Sequence, residues 1–86
     1  MPYVYMLTCS DGTLYTGWTT DLAERLAAHQ AGRGARYTRT RLPVKLVYQE
    51  TCPDRSSAMK RERAIKKLPR VKKLALVEEY QYSLDD

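Results

Sequence analysis

Little in these 86 residues could serve as a metal cage, a redox centre or a membrane anchor. The two cysteines, Cys9 and Cys52, are too few and too unpatterned for a zinc site or a disulfide framework, so both are expected to be ordinary small residues. No apolar run approaches the ~18 to 20 residues that span a bilayer, and the start of the chain has neither the charged nor the apolar region of a secretion signal. A cytoplasmic location is therefore expected. The four glycines, at 12, 17, 32 and 34, match no P-loop or dinucleotide loop, and there is neither an internal repeat nor a low-complexity tract. Any chemistry must come from side chains that are scattered in sequence and gathered by the fold.

Basic charge is plentiful, but it is unevenly spread. From Arg33 to Lys73 there are 14 Lys and Arg against three acids (Glu50, Asp54, Glu62), a net +11, while the rest of the chain carries −6. A basic middle between acidic ends suggests a polyanion partner, because Lys and Arg contacts to phosphate dominate nucleic-acid affinity. A well-charged soluble surface is the plainer alternative. The interleaving of the bases with Tyr37, Thr38 and Thr40, which can also donate to phosphates, favours nucleic acid. At 43% hydrophobic and 29% charged the chain reads as a globular domain. A domain this small buries only about 60 to 65% of its unfolded surface. We expect a single domain over residues 1–86, with its core at about 2–77 and an acidic tail at 78–86.

"PYVYMLTC" and "TLYTGW" are β-prone runs on either side of the turn signal "SDG". A two-residue turn would set Tyr5 against Trp18. A three-residue loop with Gly12 left-handed pairs Leu7 with Tyr15 and Tyr5 with Gly17, which puts both tyrosines on one face with open space above the glycine. The second register is preferred, although most strand tyrosines are simply sheet filler. A helix follows, capped by Thr20 or Asp21, striped by Leu22 and Leu26 and ended by Gly32. Arg25 and His29 lie one turn apart on it, and a lone helix histidine is more often exposed than functional. "RGARYTRTRLP" reads as a loop. The third strand, 44–50, alternates Val44, Leu46 and Tyr48 against Lys45, Val47 and Gln49. Ser56 is expected to cap the next helix, which ends before Pro69. A last helix over about 70–80 offers Val71, Leu74, Ala75, Val77 and Tyr80 as an inward stripe.

"KRERAIKK", residues 60–67, sets a single acid, Glu62, among five bases. Ala58, Glu62 and Ile65 share one helical face with Met59 beside them, so the carboxylate lies in the stripe that should meet the sheet. Such a carboxylate needs a partner, either a buried arginine such as Arg25 or a metal ion. A plain i, i+4 pair with Lys66 is the other reading, worth only a few tenths of a kcal/mol.

Tyr3-Val4-Tyr5, then Tyr15-Thr16-Gly17 after nine residues, then Arg25, His29 and Glu62, together resemble the GIY-YIG nuclease domain. "LYTGWTTDLAERLAAH", "GARYTRTRLPVKLVY" and "KRERAIKKL" are similar to its small stand-alone bacterial members, and the likeness extends over roughly residues 2–77. The first motif departs from the family pattern except at its final Tyr5. Trp18 stands where many larger members have Lys, and the chain contains no Asn, which many members use near the end of the domain.

The resemblance implies an α+β fold, a small three-stranded antiparallel sheet flanked by helices. It also implies a Mg²⁺-dependent (or Mn²⁺-dependent) nuclease acting on DNA, selecting its substrate by structure or at single-stranded ends in DNA repair and processing. In that reading Glu62 holds the metal, Arg25 holds the phosphate, and Tyr5, Tyr15 and His29 position and deprotonate the attacking water. Tyr37, Arg39, Lys60 and Lys66 grip the backbone on either side. The alternative is a nucleic-acid-binding module with weak cleavage, or with cleavage that needs a protein partner to supply specificity. A third reading is a basic RNA- or ribosome-associated protein with no metal dependence.

Overall fold

The computed structural model describes residues 1–84. Three strands, β1 (Tyr3–Thr8), β2 (Leu14–Thr19) and β3 (Lys45–Thr51), form an antiparallel sheet in the order β2-β1-β3, which places β1 at the centre and leaves β2 with a free edge. The helices are α1 (Leu22–Gln30), α2 (Arg36–Arg39), α3 (Arg55–Lys66) and α4 (Arg70–Leu84). The expected α+β class and three-stranded antiparallel sheet are found.

The hairpin adopts the register of the three-residue loop. Tyr5 lies opposite Gly17 and Leu7 opposite Tyr15, and Gly12 turns the chain at φ +84°. Alternation along β1 then divides the core in two. Val4 and Met6 point to one layer, with Val47, Tyr48, Cys52, Ala58 and Ile65, and Leu76, Val77 and Tyr80 of α4 pack against it. Tyr5, Leu7, Cys9 and Val44 face the other layer, under Leu22 and Leu26 of α1. Burying a side chain such as Ile65 contributes roughly 1.5–3 kcal/mol.

Four sequence expectations are corrected. The alternation read for β3 does not hold, because a register shift between Met6 and Leu7 sends Leu46 to one layer and Tyr48 to the other. An irregularity of this kind moves side chains across the sheet without any mark in the local pattern. The cap of α3 is Asp54, not Ser56, since its carboxylate accepts from the Ser57 N–H at 2.7 Å and the helix starts at Arg55. The expected loop at 33–43 contains the one-turn helix α2, too short to show a period. On α4, Val71 and Leu74 are exposed, and the inward contacts come from the later residues Leu76, Val77 and Tyr80. The helix runs on through Leu84, so the expected acidic tail at 78–86 is helical as far as it is described, and its last two positions lie outside the described residues.

Candidate active site

Tyr5 comes from the middle of the central strand and is 1% exposed. Gly17 makes room for it, because a Cβ at that position would lie 2.6 Å from the Tyr5 Oη. The phenol therefore reaches across β2 toward the open edge of the sheet. Tyr15 flanks it, with ring centroids 6.4 Å apart. His29, from the last turn of α1, closes the cluster edge-on to both rings, at 5.8 Å from Tyr5 and 5.2 Å from Tyr15. The plainer alternative of an exposed, solvated histidine does not hold. His29 is fully buried, its Nε2 lies 2.9 Å from the Tyr5 Oη, and its Nδ1 lies 2.8 Å from the Thr38 Oγ1. Gly34 is the floor under the ring, where any Cβ would overlap the imidazole.

The electrostatics couple these groups to Arg25 and Glu62. Burial pushes the Tyr5 phenol up to about 12, with Tyr15 and Glu62 adding to the rise and Arg25 opposing it. The Tyr15 phenol is raised by burial and by the Glu62 charge, again against Arg25. His29 is lowered, first by burial and then by the Arg25 cation. Glu62 belongs to the helix on the opposite layer, yet its charge reaches both phenols, and the two layers meet at the free edge of β2. The Glu62 side chain is 19% exposed, and its ion pair is the loose one to Lys66 at 3.8 Å, not one to Arg25.

Two clefts border this cluster along β2. One, of about 320 Å³, is lined by Trp18, Thr19, Thr20, Arg25 and Arg55. The other, of about 280 Å³, is lined by Leu14, Tyr15, Thr16, Tyr37, Lys66 and Lys73. Of the residues expected to grip a backbone, Tyr37 and Lys66 line the second cleft. Arg39 and Lys60 are exposed and line neither. Tyr37 is stacked toward Tyr15 at 6.1 Å and carries the Arg41 guanidinium 4.0 Å from its ring centroid, and that guanidinium is anchored to Asp11 at 3.0 Å. Thr38, read from sequence as a phosphate donor, is fully buried and occupied by His29 and by the Ala35 carbonyl. Sequence reasoning missed Gly34, Arg55 and Lys73. Only the glycine left a signal, as a residue able to admit a close neighbour.

No group of three or more His, Cys, Asp and Glu is placed to hold a metal among the described residues. A lone, partly exposed carboxylate whose charge reaches two phenols suits Mg²⁺, which keeps most of its waters and takes phosphate oxygens, and it does not suit zinc. Glu62 fits that limited role.

The model of the GIY-YIG catalytic domain family matches residues 1–75. This chain belongs to the GIY-YIG family. A UPF0213 protein of Streptococcus sanguinis is 56% identical over 77 residues, covering 90% of this chain and 88% of the relative. One from Halobacterium salinarum is 54% identical over 76 residues, covering 88% of this chain and 99% of the relative. Two solution NMR structures share the fold. The UPF0213 protein of Bacillus halodurans has a TM-score of 0.59 at 47% identity, covering 91% of this chain and 84% of that one. A protein of E. faecalis has a TM-score of 0.62 at 40% identity, covering 93% and 85%. The GIY-YIG catalytic domain is a nuclease domain, which makes nucleic acid the substrate class of the family. Among the described residues no helix is long and apolar enough to cross a membrane.

Proposed function

We propose that this protein is a Mg²⁺-dependent nuclease that hydrolyses DNA phosphodiester bonds at unpaired or branched ends, in DNA processing and repair. The observation that carries the reading is the gathering of Tyr5, Tyr15, His29, Arg25 and Glu62 at one edge of the sheet, beside two clefts lined in part by Arg and Lys side chains. Arg25 and Arg55 suit phosphate on one side and Lys66 and Lys73 on the other. Trp18 and Tyr37 in the cleft walls favour an unpaired strand, whose bases can meet aromatic rings without sequence preference.

Glu62 would hold the metal, which when bound supplies charge neutralisation at the scissile phosphate and the leaving oxygen. Arg25, permanently charged and forked, holds the non-bridging oxygens as negative charge builds. A phenol near 12 is not ionised at neutral pH, so Tyr5 cannot act as a base by itself. It orients the water with Tyr15 and hands a proton on to His29. Arg39 and Lys60 add charge along the approach. The chain acts on nucleic acid alone or with a protein partner that supplies specificity.

The test is cleavage of labelled single-stranded, duplex, flap, nicked and RNA substrates with Mg²⁺ or EDTA, running wild type beside Glu62→Gln. Metal-dependent products should fall by about 10³-fold in the variant while binding is kept, since the metal's contribution is several kcal/mol. If both proteins bind and neither cuts, the domain is a binding module. Steep salt-dependent RNA binding without any metal requirement would favour the RNA-associated reading.

A further inference from the structure

We infer that Thr38 is a positioning residue that holds His29 in the tautomer protonated on Nδ1, leaving Nε2 bare to accept the proton of Tyr5. The argument is a count of protons. The Thr38 hydroxyl has one hydrogen, and it lies 3.2 Å from the Ala35 carbonyl oxygen, which can only accept. Toward His29, 2.8 Å away, the same oxygen is left as an acceptor. With the Thr38 hydrogen directed at the Ala35 carbonyl, which also accepts from the Arg39 N–H, Nδ1 is the donor of this contact. In a neutral imidazole the other nitrogen then carries no hydrogen, and the Tyr5 hydroxyl, 2.9 Å from Nε2, donates to it. The chain of donors runs Tyr5 to His29 to Thr38 to Ala35.

Two observations keep the ring neutral and in place. His29 and Thr38 are both fully buried, with the Arg25 charge nearby, so a second imidazole proton is disfavoured. Gly34 lies against the Nδ1 side of the ring, where no side chain would fit, so the ring sits directly on the 34–38 segment.

The consequence rests on the nuclease reading above. With its own proton directed at Nε2, Tyr5 presents its lone pairs outward to the attacking water. As that water adds to phosphorus, one of its O–H bonds breaks and its proton goes to the Tyr5 oxygen, while the bond from phosphorus to the leaving sugar oxygen breaks with its electron pair and that oxygen takes a proton from solvent. The original Tyr5 O–H bond breaks and an N–H bond forms at Nε2. His29 becomes imidazolium, Tyr5 ends as a neutral phenol, and after the phosphate leaves, the proton returns from Nε2 through the Tyr5 oxygen to solvent.

His29 is the only histidine in the chain, so its two ring nitrogens give one unambiguous set of signals in a long-range ¹H–¹⁵N correlation spectrum. In the wild type at neutral pH, Nδ1 should appear protonated and Nε2 unprotonated. Thr38→Val, which keeps the shape and removes the acceptor, should show a mixed or inverted tautomer and a turnover reduced by roughly 10²-fold, the lower end of what positioned proton transfer contributes, with KM nearly unchanged. Thr38→Ser should restore both tautomer and turnover. A wild-type spectrum with Nδ1 bare overturns the inference, and that spectrum decides even if the valine variant fails to fold. A valine variant with unaltered tautomer and turnover also overturns it. Absence of cleavage in every protein would sink the nuclease reading and leave the tautomer result standing.

Discussion

The two faces of the sheet are built from alternate residues of one strand, and they are built differently. Val4 and Met6 enter a layer of Val47, Ala58 and Ile65 that is apolar apart from its rim. Tyr5, between them on the strand, enters a layer where an aliphatic patch under α1 gives way to the hydrogen-bonded run of Tyr5, His29 and Thr38, with the Tyr15 ring packed edge-on against His29. The first face has no group whose proton matters to chemistry and every reason to be close-packed. The second spends buried volume on polar atoms, each of which needs its partner. Stability and chemistry are thus assigned to opposite sides of β1, and they meet at the free edge of β2, where Glu62 comes round from the apolar side.

If that division holds, the largest stability effect belongs to the apolar face. Ile65→Ala removes a fully buried side chain from α3 and should cost about 2–5 kcal/mol in denaturant unfolding. Turnover per folded molecule, measured well below the unfolding transition, should stay near the wild-type value. A large loss of turnover in the folded variant would show that the apolar layer also sets the site's geometry.

Gly17→Ala attacks the other face. The new Cβ would lie 2.6 Å from the Tyr5 Oη and 3.2 Å from Tyr15, so the phenol must move off His29. Displacement of about an ångström at a reacting group costs on the order of 10²-fold in rate. The overpacking itself should cost only about 1–3 kcal/mol of stability. Single-turnover cleavage beside thermal unfolding separates the two, and an active alanine variant would mean that Tyr5 does not need its present position.

A weaker signature is the pH dependence of stability. Burial holds the His29 pKa below its ordinary value, so the folded state binds this proton less readily than the unfolded chain. The stability that this contributes is full above the unfolded value of about 6.5 and is lost as pH falls through the lower folded value. Unfolding midpoints between pH 7 and pH 5 should therefore decline in wild type and decline less in His29→Gln. Hydrogen bonds from Thr13 to Asp11, from Ser57 to Asp54 and, against burial, from Arg61 and Tyr48 to Glu50 hold these three carboxyls below their ordinary values and away from this window. Equal slopes would mean that His29 is as easily protonated folded as unfolded.

How much of this was legible depended on whether the cause was local. The hairpin register followed from one turn, because a left-handed Gly12 fixes which residues face each other. Asp21 and Gly32 marked the ends of α1 for similarly local reasons: the Asp21 carboxylate accepts from the Glu24 N–H, and Gly32 takes φ +81°. The offsets that raised Tyr5, Tyr15, Arg25 and His29 together were visible because a hairpin and one helix carry them all. What escaped depends on distant partners. Thr38 turned from a phosphate donor into the neighbour of His29 because α2 folds back onto α1, and no pattern within one helical turn encodes that. The irregularity in β3 likewise arises from its pairing with β1. Arg55 comes beside the site only because α3 packs on β2, and Lys73 only because α4, packed on β3, begins next to the second cleft.

The smallest expected effect sharpens the boundary between the faces, because it compares adjacent residues of α3. Arg61 donates to the Glu50 carboxylate at 2.9 Å, and the Tyr48 hydroxyl donates to the same oxygen at 2.7 Å. The pair sits at the rim of the apolar layer with side chains 38% and 35% exposed, so solvent screens it. Arg61→Gln should therefore cost less than about 1 kcal/mol, with the difference shrinking in high salt, since Tyr48 still satisfies the carboxylate. Cleavage should be almost untouched, whereas Glu62→Gln, one residue on, should lower cleavage by the same roughly 10³-fold as above and scarcely alter unfolding. A basic helix can carry both because successive residues point about 100° apart around its axis: Arg61 braces the sheet at Glu50, while Glu62 pairs with Lys66 and its charge reaches the two phenols. If Arg61→Gln proved the more damaging to cleavage, the carboxylate that matters would be Glu50, and the site would lie on the other edge of the sheet.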